Sequence, residues 1–143
     1  MPPRRIDKIR LFVLVTGVLS GAAASLLISS SWVPTKELLA GAAGAFATLA
    51  GFILTVQTIL VSLSASNSDS KKSEIIFRVK RLYVFFILHA SGLAVSLTAI
   101  ALQGYVGAIP DIFTRAFLFI SPLALVTALE IPRTMWASYR MAS

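Results

Sequence analysis

Four runs of apolar residues, each close to the length of a bilayer core, leave this chain few folds to choose from. They lie near residues 10–30, 36–64, 79–104 and 112–131. A hydrocarbon core of about 30 Å takes roughly 20 helical residues to cross. Inside lipid every backbone N–H and C=O must be paired within the protein, so runs of this length are read as helices. Composition agrees: hydrophobic residues make up 57% of the 143 and charged residues 13%, where a soluble domain has about a quarter of its residues charged. The expected fold is an all-α integral membrane protein. It forms one four-helix transmembrane domain over residues 1–143, with helices 2 and 3 extended into the cytoplasm.

The basic residues orient the spans. Arg4, Arg5, Lys8 and Arg10 precede the first run, Lys71, Lys72, Arg78, Lys80 and Arg81 fall between the second and third, and Arg133 and Arg140 follow the fourth. Only Lys36 and Arg115 fall on the other side. The positive-inside rule then places both termini and the middle loop of a multi-pass protein in the cytoplasm. A competing reading takes the basic start, the apolar run from Leu11 and Ala22-Ala23-Ala24 as a signal peptide. Against it, the apolar run continues through Leu26, Leu27 and Ile28, and removing one span would spoil the charge asymmetry.

Small residues recur at helical spacing. Gly17, Gly21, Ser25 and Ser29 stand four apart in the first run, a row that lets another backbone approach closely, either within the subunit or from a second copy. Thr35 is positioned to cap the second helix, and Glu37 suits the positive end of its dipole. Within that helix Gly41, Gly44, Thr48, Gly51, Thr55, Thr58, Ser62 and Ala65 follow a heptad period and so share one face. Three surfaces could want such a face: another helix of the same subunit, the symmetry axis of an oligomer, or a narrow pore lined by hydroxyls. Ser64 to Ser70 reads as a polar turn, with the third helix beginning near Ser73.

The third run repeats the pattern with His89, Gly92, Ser96, Ala99 and Gln103, which suggests that helices 2 and 3 mate through their small-polar faces. His89 is the single histidine and a candidate pH switch; the alternative is a neutral imidazole bonded to a hydroxyl or carbonyl on helix 2. Gln57 and Gln103 read as interhelical glue, Asp111 and Arg115 as a pair across one turn, Glu130 and Arg133 as another, and Ser121-Pro122 as a kink. Trp136 and Tyr139 suit an interfacial anchor.

No enzyme reading survives. His89 and Ser91 are two apart and point away from each other on a helix, and no second base accompanies them. Without cysteine there is no thiolate chemistry. No cofactor or metal is expected, and no direct nucleic-acid binding, since no soluble domain carries a basic face. The first three spans hold no carboxylate, which argues against a proton-coupled exporter. Lys71, Lys72, Arg78, Lys80 and Arg81, with Ile75, Ile76 and Phe77 between them, form a docking surface for lipid headgroups or for an acidic cytosolic partner.

The arrangement resembles the small four-span membrane proteins of bacterial phage exclusion and phage defence, the RexB-type exclusion proteins and the KwaA-type membrane subunit of Kiwa systems. The features concerned are the basic N-terminus, Ala50-Gly51-Phe52-Ile53-Leu54-Thr55 in a Gly/Ala-rich second span, the basic loop from Lys71 to Arg81 and the histidine-bearing third span. That resemblance implies a homo-oligomer, with a tetramer favoured. It implies one of two roles: a membrane sensor that docks a cytosolic protein, or a gated pore that depolarises the cell.

Overall fold

The computed structural model describes residues 8–29, 31–65, 69–133 and 136, and of residues 8–10 and 69–71 the backbone alone. Four helices follow in order: α1 (Lys8–Leu27), α2 (Lys36–Ala65), α3 (Asp69–Val106) and α4 (Asp111–Ala128). No strand occurs among the described residues. Three apolar stretches, Lys36–Ala65, Lys72–Val106 and Asp111–Arg133, are long enough to cross a membrane, and α1 contributes the shorter Leu11–Leu27. At 1.5 Å per residue α2 is about 45 Å long and α3 about 57 Å, both well beyond a hydrocarbon core.

Helix boundaries follow local chemistry. Thr35 caps α2 as expected, its Oγ1 accepting from the Leu38 N–H at 3.2 Å. The turn into α3 is shorter than expected, for α3 starts at Asp69 rather than near Ser73. The far end of α3 stops at Gly107, whose N–H makes the last helical bond to the Gln103 carbonyl at 3.2 Å and whose φ of 75° then turns the chain out of the helix. Asp111 and Arg115 pair at 2.7 Å in the first turns of α4. Pro132 does not end the last helix: the α-helical pattern is interrupted at Leu129 and resumes over residues 130–133. Proline lacks the N–H that would have bonded the Ala128 carbonyl, which accounts for the irregular turn.

The helices stand in a row rather than a closed bundle. α1 packs on α4, α4 on α3 and α3 on α2, so α1 and α2 form the two edges. Two apolar clusters hold the row. Leu39, Ala99, Ile109 and Phe117 join α2, α3, the loop and α4 at one end. Ile53, Val56, Leu60, Ile75, Leu82 and Ile131 do so at the other.

α4 of the same subunit fills the small-residue row of α1. A methyl group placed on Gly21 would run into the Phe119 carbonyl oxygen, and one on Gly17 would lie 2.9 Å from the Leu123 side-chain tip. Arg115 clamps the same seam, donating from Nη1 to the Ser25 carbonyl at 2.6 Å. That carbonyl sits in the last turn of α1, where no intrahelical partner exists.

A ranking of glycine substitutions follows for the subunit alone. Gly21→Ala meets rigid backbone and should lower stability by about 1–3 kcal/mol. Gly17→Ala meets a side-chain end that can swing away and should cost less. Gly44→Ala meets open space and should be neutral or gain up to about 1 kcal/mol of helix propensity. Unfolding of the monomer titrated with denaturing detergent gives the order; equal losses at all three sites would contradict this packing.

Candidate functional site: the outward face of the second helix

α2 carries two seams of the same heptad period. Leu39, Ala43, Phe46, Ala50, Ile53, Val56, Gln57 and Leu60 are buried in the row. Gly41, Gly44, Thr48, Gly51, Thr55, Thr58 and Ser62 trail that seam by one or two positions, roughly 150° further round the helix at about 100° per residue, and all seven are exposed. A methyl group on Gly41, Gly44 or Gly51 would touch nothing within 4 Å. Of the three surfaces that could want this face, a helix of the same subunit is therefore removed.

The hydroxyls on this face are satisfied locally. Thr48 donates to the Gly44 carbonyl at 2.9 Å, and Thr55, Thr58 and Ser62 donate to the carbonyls of Gly51, Leu54 and Thr58 at 3.0 Å. Their hydrogens are used, while their oxygen lone pairs still face outward. The face is thus smooth and weakly polar, with backbone accessible at the three glycines. Lipid tails need no such surface. A close-approaching helix does.

The small-polar row of α3 does not meet it. His89, Gly92, Ser96 and Ala99 are buried, facing the other seam of α2. The Phe46 ring fills the notch over Gly92, where a methyl would lie 2.7 Å from its Cζ, and stands edge-on to His89 at 6.2 Å between ring centres. The expectation that the two matching rows mate is corrected: a small row accepts a large side chain, and two small rows facing each other would leave a gap.

His89 bonds within its own helix. Its Nδ1 donates to the Phe85 carbonyl at 2.7 Å, and not to a group on α2. Nε2 is buried without a hydrogen-bond partner, as are Gln103 Oε1 and Ser121 Oγ. Ser91 donates to the Ile87 carbonyl at 2.8 Å, so no Ser–His hydrogen bond forms. Gln57 does bridge helices, donating to the Val79 carbonyl at 3.3 Å.

The basic residues of α3 do not form one face. At about 100° per residue, the positions of Lys71 and Arg78 share one side, Lys80 takes the opposite side, and Lys72 and Arg81 take the two flanks. The Lys71 side chain lies outside the described residues, as do the side chains of Arg4, Arg5, Lys8 and Arg10, and both Tyr139 and Arg140. Arg78 turns inward, pairing with Glu74 at 2.8 Å, and Arg81 lies 4.9 Å over the Phe77 ring. Ile75 is buried in the core and offers nothing to a partner; Ile76 and Phe77 remain exposed. In the helical turn after α4, Arg133 donates to Glu130 at 3.3 Å as expected.

Sequence reasoning missed the Arg115 contact to Ser25, for which the one signal was a lone arginine on the charge-poor side. Compared with protein-family models, curated proteins and solved structures, the chain matches none.

Two substitutions separate packing from polar bonding in the α2–α3 seam. His89→Leu removes one local hydrogen bond together with a buried nitrogen that has no partner, and stability should change by less than about 1.5 kcal/mol. Phe46→Ala empties the notch and should cost about 3–5 kcal/mol. If unfolding measurements reverse that order, His89 and not Phe46 holds the seam.

Proposed function

We propose that the chain is a four-span inner-membrane protein with cytoplasmic termini, that its copies associate through the outward face of α2, and that the assembly is the non-enzymatic membrane component of a phage-defence complex. One observation carries the association: a glycine- and hydroxyl-lined face more than three heptads long that no helix among the described residues covers. The charge distribution of the sequence supports the orientation. The resemblance in arrangement to phage-defence membrane subunits supports the setting.

Assembly is tested at the glycines. Gly44→Leu with Gly51→Leu introduces side chains where neither meets its own subunit, so the pair should convert an oligomer to folded monomers by light scattering in mild detergent. A parent protein that is monomeric across several mild detergents removes the proposal.

A pore is the second reading, favoured by the lone pairs of Thr48, Thr55, Thr58 and Ser62 on that same face. With α2 innermost in a ring, Thr48→Leu and Thr55→Leu should abolish ion flux from loaded liposomes while assembly persists. Flux that survives both changes assigns the face to packing alone.

The cytosolic partner would be an acidic protein surface meeting the cations at the base of α3. Lys71→Gln with Lys72→Gln leaves Arg78, Lys80 and Arg81 in place, so insertion and assembly should persist while a co-purifying soluble protein is lost. Retention of that protein with unchanged salt sensitivity argues against docking there.

A further inference from the structure

Between α2 and α3, toward the Ala65 and Asp69 end of the hairpin, the helices leave an open groove of about 490 Å³. Leu54, Val61 and Val79 give it apolar walls, Thr58 and Ser62 edge it on α2, and Lys80 and Tyr83 edge it on α3. Gln57 lies buried within it, its amide committed to the Val79 carbonyl.

Lys80 is exposed and has no carboxylate to pair with among the described side chains: Glu74 is taken by Arg78, Asp111 by Arg115 and Glu130 by Arg133, and Glu37 lies at the far end of α2. Side chains on a helix lean toward its N-terminus, which brings the Lys80 ammonium toward the same end of α3 as the other cations. In a membrane that end lies at the headgroups, where a long lysine extends to keep its charge out of hydrocarbon. The donors left in the groove are few. Thr58 and Ser62 have spent their hydrogens on Leu54 and Thr58 carbonyls, which leaves the Lys80 ammonium and the Tyr83 phenol, whose ring is braced by stacking on Phe86 at 6.4 Å. A cation and a hydroxyl above an apolar channel suit an acceptor with negative charge above a hydrocarbon chain.

We infer that the groove holds one anionic phospholipid, its phosphate at the Lys80 ammonium and Tyr83 hydroxyl beside Val61 and Val79, and one acyl chain descending along Leu54. The inference rests on the membrane reading and on neither the assembly nor the cytosolic partner. The groove shares Thr58 and Ser62 with the outward face of α2, so a second copy leaves it free where its contact centres on Gly41, Gly44 and Gly51.

Native mass spectrometry of the intact protein, incubated in detergent with phosphatidylglycerol or with phosphatidylcholine of the same acyl chains, tests this. One phosphatidylglycerol per chain should be retained under activation that strips phosphatidylcholine. Lys80→Gln should cut that retention about fivefold, the factor one lysine supplies beside an anionic surface. Val61→Trp should abolish it, since Val61 is 55% exposed and an indole there fills the groove from outside the core. Lys36→Gln, exposed at the far end of α2, should leave retention unchanged. Equal retention of the two lipids overturns the inference, as does equal loss in Lys36→Gln and Lys80→Gln. Conversion of an oligomer to monomers by Val61→Trp, with no phosphatidylglycerol held by the parent, gives the groove to a second copy. The same spectra report oligomeric state, so a monomer that keeps its phosphatidylglycerol removes the assembly and leaves the groove standing.

Discussion

The Phe46 ring seated over Gly92 and against His89 fixes the relation of the two longest helices, and much else follows from it. Hydrocarbon offers no hydrophobic drive for helices to associate, so their pairing depends on shape. One large side chain in a notch supplied by glycine sets both rotation and register. Leu39 then comes level with Ala99, and Gln57 level with Val79, where its amide finds a carbonyl. Rotation of α2 by half a turn would put its own glycines toward α3 and leave the notch empty. The outward position of Gly41, Gly44 and Gly51 is thus a consequence of where Phe46 went.

The second pair of helices obeys the same rule with different parts. Gly17 and Gly21 admit the Leu123 side chain and the backbone at Phe119, and Arg115 ties the last turn of α1 to α4. Both seams bring a small surface against a larger group. The row that results has α1 and α2 at its edges. Apolar side chains crowd the free face of α1, with Phe12, Leu19 and Leu26 all strongly exposed, as lipid contact requires. The free side of α2 also exposes Phe52, Leu54, Ile59 and Val61, but beside them runs the stripe of glycines and hydroxyls, and that stripe is the reason we propose a protein neighbour for it.

Charge is handled with equal economy. Three acids, Glu74 and Asp111 at the surface and Glu130 buried, each hold an arginine three or four residues away on the same stretch of helix; the exposed pairs bring modest stability. Arg78 lies mostly covered while its partner Glu74 stays exposed. Lys80, with no acid in reach, is left to the groove that opens at its side.

The number of helices, the cap of α2 and local pairs were legible in the sequence because they depend on neighbours within about one turn. Hydropathy gave the runs, Thr35 its cap, and Asp111–Arg115 and Glu130–Arg133 their spacing. The heptad stripes were legible as faces. Which face met which partner was not: α2 has two seams of the same period, and periodicity carries phase within a helix but no information on what lies opposite. The buried place of Ile75, the bond of His89 to its own helix, the reach of Arg115 to Ser25 and the groove beside Lys80 all depend on contacts between helices far apart in sequence. The sequence determined four helices and the small-residue faces they carry; the tertiary structure decided which of those faces were used up, because only three-dimensional fit tells a glycine that receives a ring from one that still awaits a neighbour.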